Sequence, residues 1–299
     1  LMTNNYPNSN NKNSYSKHSI IAKIIASIFL LMAGACKKII DIGSLQNKTQ
    51  ASTVFTDAST SNSAINGIYR QAKNSFQATT SIYNSLASDE LTITSNLPQY
   101  DVYLKNQIPA NNTSNPFSGF YKVIYSCNAA IEGLEDNSTI AEVTRNQYIG
   151  EAKFNRALCY FYLSNLYGGV PLITSTDVGI SSTAPREDSS KIYDQIQTDL
   201  KDAIIKLSPD YNTGSMGRSR ANKWAASALL ARVYLYQRDY INAGKLASDI
   251  INSGLYNLLD NPAGIFIKDN SETILQWDNN ATEGNNDLAA NTNQNHPYY

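Results

Sequence analysis

"SRANKWAASALLARVYLYQRDYINAGKLASDIINSG" occupies residues 219–254 and decides the fold. Its apolar and small residues recur every three to four positions on both sides of Arg238-Asp239, the spacing that lines one face of a helix. Two helices with a break at that dipeptide follow. Ala231 and Ala243 are small where the pair crosses closely, and Leu230 with Tyr234 fills the groove between successive units. Leu230, Ala231, Tyr234, Tyr240 and Ala243 stand at tetratricopeptide offsets, with Ser227 where that pattern commonly carries tryptophan. Such a pair buries its faces only against stacked neighbours, so the expectation is a mainly α protein built as a helical array.

The neighbours are legible on either side. "RNQYIGEAKFNRALCYFYLSNLY" (145–167) reads as a long helix ended by Gly168-Gly169 and kept from resuming by Pro171. Its Ala157 and Tyr160 repeat the small-to-aromatic spacing, which predicts that it pairs with the helix over "SSKIYDQIQTDLKDAIIKLSPD" (189–210) after an inserted loop. "FSGFYKVIYSCNAAIEGLED" (117–136) has a continuous apolar face interrupted at Asn128. A first helix starts at Thr56-Asp57 and runs to about Lys73, and "SIYNSLASDEL" (81–91) is a short amphipathic segment. Between Thr92 and Pro116 the chain turns polar and Asn-rich, with prolines at 98, 109 and 116, which predicts a long loop of the kind that carries function. "ETILQWD" (272–278) reads as a short strand, and residues 279–299 as polar loop.

Composition removes several function classes. The formal net charge is -1, so no field favours nucleic acid or anionic lipid. Two histidines, His18 and His296, lie at the chain's extremes, which leaves no imidazole in the folded body for a nucleophilic triad or a His-ligated metal. Cys127 and Cys159 sit in apolar helical contexts and read as core. The neighbouring acids Asp89-Glu90 and Glu135-Asp136 read as solvated or capping groups, and no phosphate-binding glycine loop occurs. The expectation is a non-enzyme without cofactor or metal. Tyrosine is abundant, 20 against 8 Phe and 2 Trp, a composition suited to wet binding faces.

At the N-terminus, "KIIASIFLLMAGACKK" (23–38) is too short to span a bilayer, which takes about 20 apolar residues. Lysines 12, 17 and 23, the apolar run from Ile24 to Met32 and the small residues 33–35 have the parts of a secretory signal. A cysteine directly after them resembles a bacterial lipobox, so residues 1–35 read as signal, Cys36 as the lipidated first residue and 36–56 as a tether. An ordinary signal with cleavage near Ala35 is the alternative.

These segments together resemble the SusD/RagB family of Bacteroidetes outer-membrane lipoproteins. The likeness lies in "ACKKIIDI", "AINGIYR", "LASDEL", "SCNAAIEGL", "EAKFNRALCYFYLSNLYGGVPLI", "IYDQIQTDLKDAIIKL" and "ANKWAASALLARVYLYQRDYINAGKLASDIINSGLYNL", in the family's order from Cys36 to Asp278. It implies a SusD-like α-α superhelix over 57–271 with long loops. It also implies that 272–299, with its short strand, opens a C-terminal ligand-loop region incomplete in this chain, since family members are longer. A lipid-anchored protein on the outer face of the outer membrane is implied, delivering oligosaccharide, or peptide in the RagB branch, to a SusC-like TonB-dependent transporter. The region after Asp89-Glu90 belongs to the family's ligand face. There Asn96, Tyr100, Asp101 and Tyr103 combine rings with amide and carboxylate groups suited to sugar, and Tyr298 falls where further ligand loops lie. The other reading places Tyr100 and Tyr103 on the helices beneath them. Trp224 and Trp277 read as core or interface residues. A membrane-tethered scaffold that binds only proteins would use the same helical surface.

Replacing Cys36 by Ser is expected to abolish acylation and release the protein from membranes; unchanged membrane fractionation of the variant would refute the anchor.

Overall fold

The computed structural model describes residues 54–76, 82–93, 97–112, 116–211 and 214–277. The signal, Cys36, Asn96 and Tyr298 lie outside the described residues. The helices are α1 (Ala58–Phe76), α2 (Asn84–Ala87), α3 (Pro98–Leu104), α4 (Phe117–Leu134), α5 (Glu142–Tyr167), α6 (Val178–Ser181), α7 (Ser189–Lys206), α8 (Lys223–Tyr236) and α9 (Tyr240–Asn252). Two short strands, β1 (Val170–Pro171) and β2 (Arg186–Glu187), pair antiparallel with Val170 opposite Glu187.

α1 packs on α4 and α5, α5 on α7, α7 on α8, and α8 on α9. This is the expected array, and the long helix does pair with the helix that follows the inserted loop. The boundary signals act locally as read. Asp57 accepts hydrogen bonds from the Ser59 and Thr60 amides at the start of α1, and Asp239 accepts one from Asn242 at the start of α9. Gly168, at φ +70°, ends α5, and a Cβ on Gly169 would stand 2.4 Å from the Glu187 carbonyl oxygen. Glycine is therefore what lets the chain turn off α5 and pass close under β2.

One core runs through the array, with Phe76, Phe120, Ile124, Tyr160, Ile192, Ile196 and Leu200 fully buried. Cys127 and Cys159 are buried free thiols within it, and burial pushes both well above the ordinary thiol range. Trp277 packs on the core, its ring stacked 5.2 Å from Phe76.

Two expectations are corrected. The stretch from 92 to 116 is not all loop: Pro98 at the first turn and an i,i+4 ion pair between Asp101 and Lys105 support α3. Residues 272–277 form no strand. Their backbone is bonded piecemeal instead, Gln276 N to the Arg218 carbonyl and the Ile274 carbonyl to Tyr211 Oη, and no neighbouring strand edge is among the described residues.

Buried ion pairs, invisible in the apolar periodicity, join the layers. Arg220, just ahead of α8, forks onto Glu151 of α5 at 2.7 and 2.8 Å and donates to Asn62 of α1 at 2.6 Å. Both charged partners are sequestered, at 2% and 0% side-chain exposure. Burial pushes the Glu151 carboxyl up while the guanidinium beside it pulls it back. Arg156 of α5 forks onto Asp199 of α7 at 2.8 and 2.7 Å and donates to Asn128 of α4 at 2.8 Å. Asn128 in turn donates to the carbonyls of Ile173 and Ser175 in the inserted loop, which explains its place in an otherwise apolar face.

Arg220→Met should lower stability by about 3–5 kcal/mol, because it leaves a carboxylate buried without its cation. Adding Glu151→Leu should recover much of that loss, and urea unfolding midpoints of the single and double variants check both.

Candidate functional site

α2 and α3 pack on each other and bring three tyrosines together. The Tyr103 ring stacks on Tyr83 at 4.5 Å with an interplanar angle of 26°, and Tyr100 lies tilted against Tyr83 at 6.0 Å. Tyr103 forms the lower layer at 5% exposure, whereas Tyr83 and Tyr100 keep part of their surface open. The α3 turn creates this arrangement, because residues three apart on a helix share a face. Asn112, in the loop after α3, donates to Tyr103 Oη at 3.0 Å. Asp101 stands on the same helix, half-exposed and paired with Lys105 at 2.9 Å.

The rings continue into a belt at the end of the long helices. Burial pushes the Tyr167 phenol up to about 12, and Tyr103 and Tyr83 are near enough to add to that rise against a hydrogen bond from the Phe117 backbone. Phe117 meets Tyr167 edge-on at 5.3 Å and lies tilted against Tyr121 at 4.8 Å. Tyr121 donates to the Pro171 carbonyl at 2.6 Å, and Tyr160 holds both the N–H and the carbonyl of Ile173. The base of the inserted loop is thereby fixed to the belt.

Tyr100, Asp101 and Tyr103 thus share one short helix. Sequence reasoning missed Tyr83, Asn112, Phe117 and Tyr167. Tyr83 had a signal, an aromatic in the amphipathic stretch just before the polar region, but read there as an apolar helix position. Burial raises the phenols of Tyr83 and Tyr103 as well, so both stay protonated at neutral pH. The rings of the belt are neutral, with the Asp101–Lys105 pair and Arg186, which donates to the Tyr167 carbonyl, as the charges beside them, and they offer ring faces beside hydroxyl and amide groups. That combination matches a ligand with apolar C–H faces and hydroxyl rims. Asp89, Glu90, Glu135 and Asp136 are all exposed, as expected of solvated acids.

A SusD-like family profile described as "Starch-binding associating with outer membrane" matches residues 44–235. A SusD-like protein of Bacteroides ovatus is 27% identical over 275 residues, which cover 85% of this chain and 49% of that protein. SusD-like protein P25 of Formosa agariphila is 30% identical over 171 residues, 56% of this chain and 32% of that protein. Among solved structures, a laminarin-binding SusD-like protein superposes with a TM-score of 0.66 at 27% identity, covering 73% of this chain and 50% of that one. The chain therefore spans half or less of the length of these relatives.

Proposed function

Because the chain belongs to the SusD-like family of starch-binding, outer-membrane-associated proteins, we propose that it is a lipid-anchored, non-catalytic capture protein. It takes oligosaccharide at the outer-membrane surface and delivers it to a partner TonB-dependent transporter. The observation that carries the reading is the belt of Tyr83, Tyr100 and Tyr103, with Asn112 and Asp101 at its side. Sugar rings stack on aromatic faces, and their hydroxyls need the amide, phenol and carboxylate groups found beside them. The laminarin-binding protein of matching fold supports a glycan of this kind. Cys36, directly after the signal-like run, supports the anchor, and among the described residues no helix is long and apolar enough to cross a membrane.

Within the belt the three rings differ in task. Tyr100, partly open, is the platform; Tyr103 supports Tyr83 from beneath and orients through Asn112. Asn96 and Tyr298 complete the proposed ligand-contacting set.

Tyr100→Ala should weaken binding of laminarin or starch oligosaccharides by about 0.5–1.5 kcal/mol, the scale of one aromatic contact, and move the melting curve little. Isothermal titration beside thermal melts decides it, since lost stability with unaltered binding would favour a protein-binding scaffold instead. The raised phenols of Tyr83 and Tyr103 lose their protons only above the ordinary tyrosine range, so affinity should stay flat from about pH 6 to about pH 9. A fall across that window in the same titration would place an ionising group in the site.

A further inference from the structure

Between α5, α8 and the segment 265–277 lies a cleft of about 540 Å3 that shares no lining residue with the aromatic belt. Its volume is that of a small-molecule site, for which about 300–1,000 Å3 is usual. Phe154, Leu158, Ala228, Leu229, Ile274 and Trp277 make an apolar lining. Ala225 and Ala228 keep α8 thin on this side, so the space is left by small side chains within a packed structure.

The polar groups at the lip are almost all committed to nearby stretches of chain. Asn270 donates to the carbonyls of Ile265 and Ile267 and to Thr273 Oγ1, and accepts from the amides of Glu272 and Thr273. Gln276 is engaged at both ends by Asp269. Glu272 accepts the Leu259 amide at 3.2 Å. Arg232 is the exception: it is exposed, lines the cleft and has no hydrogen-bond or ion-pair partner among the described residues. A guanidinium beside an apolar wall attracts an anion more strongly than one surrounded by water, and its planar donors fit a carboxylate.

We propose that this cleft binds a small apolar carboxylate, its aryl or branched alkyl body against Leu158, Leu229, Ile274 and Trp277 and its carboxylate on Arg232. The site is independent of the glycan belt. Glu272 opposes an anion at the same lip, which gives the charge argument a second direction: neutralising Glu272 should aid the ligand where neutralising Arg232 harms it.

The probes are 4-phenylbutyrate and its uncharged counterpart 4-phenylbutan-1-ol, titrated into the full chain by calorimetry. Emission of Trp277 is followed in a Trp224→Phe background, which leaves Trp277 the sole tryptophan of the two in the sequence. Phenylbutyrate should bind saturably, shift the Trp277 emission and bind more tightly than the alcohol. Arg232→Gln should weaken the carboxylate about threefold to fivefold, the scale of an exposed charge pair, and leave the alcohol unchanged. Glu272→Gln should hold or strengthen carboxylate binding. Ala228→Leu should fill the floor and abolish binding of both, with an unchanged melt showing that the fold is intact. Tyr100→Ala should leave phenylbutyrate binding as it is, which separates this site from the glycan reading. Failure of phenylbutyrate to bind, equal affinity for acid and alcohol, or indifference to Arg232→Gln would each overturn the proposal.

Discussion

The array rests on a buried guanidinium. Arg220 reaches α1 through Asn62 and α5 through Glu151, while the amide next to it, on Ala221, donates to Tyr69 Oη of α1 at 2.8 Å. Gln147 extends the network by donating to Glu151 and accepting from the Ser208 amide after α7. α1, α5, the chain just after α7 and the segment leading into α8 are thus tied at one point. Apolar packing alone is tolerant of sliding, since one aliphatic contact is much like the next; a forked ion pair with defined partners is not. Its desolvation makes it weak evidence for added stability and better suited to fixing one arrangement of the helices.

The second fork, Arg156 on Asp199, does the corresponding work one turn and a half further along α5. Through Asn128 it also reaches the loop inserted between α5 and α7, where Glu132 accepts from the Thr176 amide and Tyr160 grips Ile173. A loop held at so many backbone atoms behaves as part of the scaffold. The belt at Tyr121, Phe117 and Tyr167 is consequently built on a rigid base, which suits the proposed binding of weakly interacting sugars, because ordering on binding would consume affinity.

The two candidate sites divide the chemistry of the protein. The belt is aromatic, with an exposed Asp101–Lys105 pair and Arg186 beside it, suited to a polyhydroxylated ligand whose C–H faces stack. The cleft under the segment 265–277 has an apolar lining, with Glu272 at its lip and Arg232 there without a partner among the described residues. That segment is secured by Arg218, which lies over the rings of Tyr211 and Tyr256 at 5.0 and 5.2 Å and donates to the Thr273 carbonyl. The clamp accounts for the irregular path of residues 271–277 better than strand propensity does.

Helix existence, order and pairing were legible in the sequence because the 3.6-residue period, the caps at Asp57 and Asp239 and the break at Gly168-Gly169 are local signals that the tertiary structure keeps. The family followed from the same segments. Long-range partners were not legible. Nothing in "EAKFNRALCYF" separates Glu151 and Arg156 as buried ions from ordinary helix-surface charges, since their partners Arg220 and Asp199 lie 69 and 43 residues away. Tyr83 and Tyr103 likewise became a stack only when α2 folded against α3, and Tyr103 changed from an open ring in a polar stretch to a buried support. Trp277 and its neighbours had the composition of a strand, but a strand requires an edge to pair with, and in the folded chain their backbone bonds went to Arg218 and Tyr211 instead. Periodicity reports which face of an element is buried; which residue it meets there is settled by the packing of the whole chain.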